Sequence, residues 1–231
     1  MPSEDDLRTA LAHVLWIGGA PDAGKTSIAD LLATKRQLQV YHFDRHEPAH
    51  FDRATAAEHP ALYAAHPARM TPDERWVRHA VERMVRETIA SWTERCEMAI
   101  EDLLAMPRQP MIVAEGPGFF PECLAPLMRD SHQAIWLQPT ESFKQASAAR
   151  RNKLTPRFKT SDPARAQRNW YARDLGLVAH VAREAHARGL TLLTVDGAKS
   201  LDEMTALVEA HFAPLLAPSD SGIVGANDPV A

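Results

Sequence analysis

The chain has 231 residues, 45% hydrophobic, 24% charged and 6% aromatic, with a formal net charge of -4 at pH 7. That composition excludes collagen-like and wholly disordered chains, and the acidic balance argues against a protein coated for nucleic acid. No run approaches the ~18 apolar residues of a membrane helix, and the acidic stretch Met1–Asp6 lacks the layout of a signal peptide. Two cysteines, Cys96 and Cys123, outside any CxxC, read as thiols of a cytoplasmic protein, not a disulfide framework.

In chain order, five short apolar runs stand out: His13–Gly18, Leu38–Phe43, Met111–Glu115, Ala134–Gln138 and Leu190–Val195. Each is nearly continuous instead of alternating, as strands buried on both faces are. Helical stretches separate them, so the pattern predicts a five-stranded parallel sheet with helices on both faces. The segment 45–110 is too long for a simple crossover and is expected to form a helical lobe over the sheet's carboxyl edge. Within it, Thr71-Pro72-Asp73-Glu74 is a capping box with proline at the first helical position. Apolar residues then recur from Trp76 to Leu104 at a spacing that predicts a helix long enough to be kinked or split. Its Trp76–Trp92 face suits inward packing and a dimer contact equally, so oligomeric state stays open. A second capping box, Ser200 to Glu203, opens the last helix, which should end near Pro214. Residues 217–231, rich in Pro, Gly, Ser and Asp, read as a disordered tail, leaving 1–216 as one domain.

One motif carries chemistry. Gly19-Ala20-Pro21-Asp22-Ala23-Gly24-Lys25-Thr26 fits GxxxxGK[ST], after an apolar strand and at the start of a helix. In that setting the backbone amides from Gly19 to Ser27 wrap phosphate oxygens, and the helix N-terminus favours negative charge. Lys25 would bridge the β- and γ-phosphates, and the Thr26 hydroxyl would ligate Mg²⁺.

From Val14 to Phe212 the layout resembles the P-loop kinases, which include nucleoside monophosphate, shikimate and gluconate kinases and chloramphenicol phosphotransferase. The resemblance implies a P-loop NTPase fold and an ATP- and Mg²⁺-dependent kinase acting on a small-molecule acceptor. It implies that Asp44, just after the second strand, contacts or deprotonates the acceptor hydroxyl. It also implies that Glu115, ending the third strand, supports the metal. A mobile lid that neutralises the transferring phosphoryl group is sought in residues 144–173. That segment holds Lys144, Arg150, Arg151, Lys153, Arg157, Lys159, Arg165, Arg168 and Arg173 against one acid, Asp162. Arg150 and Arg151 are the expected lid residues. A solvated basic face accounts for most of the others, and a nucleic-acid patch ranks last because no nucleic-acid-binding motif accompanies it.

Two further patterns are set aside. His46-Glu47-Pro48-Ala49-His50 spells the zinc-protease HExxH, but Pro48 is expected to break the helix that this motif requires. Asn152-Lys153 begins an NKxD guanine-reading motif whose aspartate is replaced by Thr155. The competing class is a nucleotide-binding regulator or RNA-linked NTPase without a small-molecule acceptor. The long insert after Asp44 speaks for an acceptor lobe instead. Which nucleoside, nucleotide, sugar or antibiotic it accepts is not written in the chain.

Overall fold

The computed structural model describes residues 3–150 and 159–216. Five parallel strands, β1 (Val14–Gly19), β2 (Gln39–His42), β3 (Ile112–Glu115), β4 (Ala134–Pro139) and β5 (Leu192–Val195), form one sheet in the order β2-β3-β1-β4-β5. Each expected strand is present. Successive residues of the central strands feed opposite cores, which is why their sequences are apolar throughout. On one face lie Val14, Trp16, Ile112, Ala114, Ala134 and Trp136; on the other lie Leu15, Ile17, Val113, Ile135 and Leu137.

The first face is covered by α1 (Glu4–Ala10), the C-terminal half of α5 (Val81–Ala105), α6 (Pro121–Leu124) and α8 (Pro163–Ala187). The second is covered by α2 (Lys25–Arg36) and α9 (Leu201–Phe212), whose Ile28, Leu32, Val208 and Phe212 are fully or nearly fully buried. Between β2 and β3 stand α3 (Glu47–Arg53), α4 (Pro60–Ala65) and α5, the helical insert. The remaining helix, α7 (Glu141–Arg150), follows β4.

The long helix expected from Thr71 is split. The Thr71 box forms, with the Glu74 amide donating to Thr71 Oγ1 at 3.2 Å and the Thr71 amide to Glu74 Oε2 at 2.9 Å. A π-turn over Glu74–Arg78 follows, and His79 and Ala80 are extended (ψ 145° and 148°) before α5 begins. The break turns Trp76 and Trp92 inward: Arg173 of α8 lies over both rings. The Ser200 box opens α9 as expected. Helix α1 was not anticipated, although Ser3 and Asp6 form a capping box that announces it.

Pro48 does not prevent a helix. It occupies the first turn of α3, where its missing N–H is no loss. The two histidines of that pattern are engaged separately: His46 Nδ1 pairs with the His42 carbonyl at 2.9 Å, and buried His50 pairs through Nε2 with Asp102 at 2.8 Å. Arg151, Lys153, Arg157 and the tail 217–231 lie outside the described residues.

Candidate functional site

The chain leaves β1 and β3, which are neighbours, toward opposite edges of the sheet. Open α/β sheets hold ligands at such a reversal, outside the strands' carboxyl ends. The two segments that meet there are the loop Gly19–Gly24 and the end of β3 at Glu115.

The loop's course depends on its glycines. Gly19 has φ +118°, and a Cβ on it would lie 2.2 Å from the Leu137 carbonyl oxygen. Gly24 has φ +84° and is the N-cap of α2, with no side chain capping the helix. The first amides of α2 are thereby left for an anion. Lys25 is 6% exposed and its Nζ donates to the Ala20 carbonyl at 2.8 Å. Burial pushes its ammonium below the ordinary lysine range, against the opposing pull of the Glu115, Asp44 and Asp22 carboxylates.

Thr26 Oγ1 donates to Glu115 Oε1 at 3.1 Å. His42, paired with Glu115 in the β2–β3 register, contacts the same oxygen through Nδ1 at 2.9 Å, and its Nε2 lies 3.2 Å from Asp30 Oδ1. The carboxyl ends of β1, β2 and β3 thus bring Thr26, His42 and Glu115 to one point. His42 belongs to no motif of the sequence; its place at the site follows from strand register.

Asp44 sits in a single 3-10 turn, Phe43–His46, directly after β2. It is exposed to a cavity of about 560 Å³ that it lines together with the loop, Glu115 and residues of α5 and α8. Among the described residues its carboxylate has no hydrogen-bond or ion-pair partner, so it is available to a ligand. Among the described residues, five carboxylates (Asp22, Asp44, Glu47, Glu115 and Asp174) and two cations (Lys25 and Arg173) line this cavity.

The described residues of the basic segment hold separate positions. Lys144 is fully buried: its Nζ lies 2.9 Å from Asp174 Oδ2 and 3.5 Å from Asp22 Oδ2, and it donates to the Pro21 carbonyl at 3.3 Å. It is an internal brace between the loop, α7 and α8, not a surface charge. Arg173 is also buried, with Nε 3.0 Å from Asp174 Oδ1, and it lines the cavity. Arg150 is exposed at the end of α7 over the Phe143 ring, at 5.7 Å, and does not line the cavity. Arg173 belongs to the basic segment in which the lid was sought but was not singled out there, and neither were Glu47, Trp92 and Trp170 as site residues. These four also line a second cavity of about 270 Å³ beside the first.

No protein-family model matches the chain, and no curated protein matches it. Among solved structures, an uncharacterized protein from Eubacterium ventriosum is similar over 87% of this chain and 98% of its own, at 13% identity and a TM-score of 0.40. The chain's own geometry is therefore what speaks to function.

Proposed function

We propose that the chain is a P-loop NTPase acting as an ATP- and Mg²⁺-dependent phosphotransferase on the hydroxyl of a small-molecule acceptor. The observation that carries this reading is the Thr26–Glu115 contact of 3.1 Å at the mouth of a GxxxxGK[ST] loop. A hydroxyl and a carboxylate side by side are the hard oxygen donors that Mg²⁺ takes.

Lys25 and the free amides of α2 would hold phosphate oxygens, while Thr26 and Glu115 would hold the metal, which supplies charge neutralisation at the transferring group. His42 fixes the rotamer of Glu115. Asp44, which lines the cavity and has no hydrogen-bond or ion-pair partner among the described residues, would accept the acceptor's hydroxyl proton. As that proton leaves, the acceptor oxygen forms an O–P bond to the γ-phosphorus, the bond to the β–γ bridging oxygen breaks, and ADP departs. Buried Arg173 would offset the charge that spreads over the phosphoryl oxygens.

The test is calorimetric titration of ATP with and without Mg²⁺ into the wild type and Lys25→Ala. Mg²⁺-dependent binding that Lys25→Ala abolishes is expected; binding indifferent to Lys25 and to metal would remove the basis of the proposal.

A further inference from the structure

The second cavity differs from the first in charge and in wall chemistry. Among the described residues, three tryptophans, Trp76, Trp92 and Trp170, line it, with three arginines and two carboxylates. At about 270 Å³ it has nearly twice the ~150 Å³ of a cavity that holds benzene, room for a two-ring system.

Its charges are unequally matched. Arg95, 1% exposed, donates to Glu47 Oε1 at 2.9 Å and to the Phe43 carbonyl at 2.8 Å. Arg173 is paired with Asp174 and donates to Thr88 Oγ1 at 3.3 Å. Glu87 is committed to Arg83 at 2.6 Å and His79 at 3.3 Å. Arg75 is the exception. It donates to the Ala65 carbonyl, and among the described residues no carboxylate lies within ion-pair distance of it. Burial depresses its guanidinium's pKa, Glu47 raises it in part, and the like charge of Arg173 adds to the depression. A half-buried guanidinium with no carboxylate in ion-pair contact among the described residues is costly, and an anion arriving in the cavity would lower that cost.

We infer that the second cavity is the acceptor pocket and takes a flat aromatic molecule bearing one anionic group, the rings against the tryptophans and the anion on Arg75. This rests on the reading of the first cavity as the nucleotide site. Glu47, Trp92, Trp170 and Arg173 line both cavities, so an acceptor held there sits beside the phosphoryl donor. The anion is a carboxylate or a phosphate; both satisfy a guanidinium fork.

The experiment titrates 2-naphthoate, 2-naphthyl phosphate and neutral 2-naphthol into the full chain, read by calorimetry and tryptophan fluorescence. At least one anionic probe should bind about tenfold or more tightly than 2-naphthol. Which anion gains more identifies the group. Arg75→Gln should erase the preference and Arg75→Lys retain part of it. Equal affinity for the neutral probe, no binding of any probe at millimolar concentration, or an anion preference that survives in Arg75→Gln would each overturn the inference. ATP titrated into the same samples separates the two readings. Lys25-dependent ATP binding without anion preference defeats this inference alone; anion preference without ATP binding defeats the nucleotide reading on which it rests.

Discussion

Thr26 and Glu115, 89 positions apart in the chain, meet through a 3.1 Å hydrogen bond where β1 and β3 release their loops. The contact depends on β-sheet register: Ile17 is paired with Glu115 in β1–β3, and Glu115 is the last residue of β3. A shift of one residue would turn the carboxylate to the other face of the sheet. Glu115→Gln keeps the shape and removes the charge, so it should lower phosphoryl transfer and metal affinity together by about 10–100-fold. A Mg²⁺ titration of the rate checks this, with Thr26→Ala shifting the same curve.

His42 acts on the site through Glu115, which makes it a positioning residue. His42→Ala should raise the Mg²⁺ concentration needed for half-maximal rate, about tenfold or more, while leaving ATP binding at saturating metal little changed. His42→Gln, which restores a donor, should recover part of the loss. A uniform fall in rate at every Mg²⁺ concentration would show a different role.

Asp44→Asn should reduce the rate constant for transfer by about 10²–10⁴ with ATP affinity unchanged, the signature of a lost proton acceptor. Single-turnover kinetics with the acceptor present makes the comparison.

Lys144 bridges two carboxylates in a fully buried setting, 2.9 Å from Asp174 and 3.5 Å from Asp22. Lys144→Met leaves those acids short of a cation and should cost about 3–5 kcal/mol in urea denaturation. Adding Asp174→Asn should return part of that cost, since the two changes share one network.

Acid should weaken the fold from near pH 6.5, well above the carboxylate range. His50 is buried beside Tyr41 and Asp102; burial lowers its pKa, and the Asp102 contact restores only part of the shift. The unfolded chain, with an ordinary imidazole, then binds the proton more readily than the folded one. Stability is accordingly full above about pH 6.5 and falls as pH drops from there toward the folded-state pKa, by at most about 1.4 kcal/mol per pH unit for this group. Urea midpoints at pH 7.5 and 5.5 should differ less in His50→Gln than in the wild type.

The strands were legible in the sequence because both faces of β1, β3 and β4 are buried, so every residue from Val14 to Ile17 had to be apolar. Their spatial order was not, since it is decided by pairings between distant segments. The course of the Gly19–Gly24 loop was legible because its signals are local: two glycines with positive φ, then Lys25 and Thr26 on the first turn of a helix. The burial of Lys144 was not legible because its acidic partners lie 30 and 122 positions away. Arg75, Trp76, Trp92 and Arg173 gave no signal as a group. They converge only because the chain breaks at His79 and α8 then packs across α5.

Phosphoryl transfer is tested by mass spectrometry of a pooled library of nucleosides, nucleotides, sugars, antibiotics and aromatic acids incubated with ATP and Mg²⁺. The account predicts at least one acceptor heavier by a single phosphoryl group, formed by the wild type and absent with Lys25→Ala. ATP that binds in a Lys25-dependent manner while every acceptor in the pool stays unmodified would contradict it and favour a nucleotide-binding protein without a small-molecule acceptor.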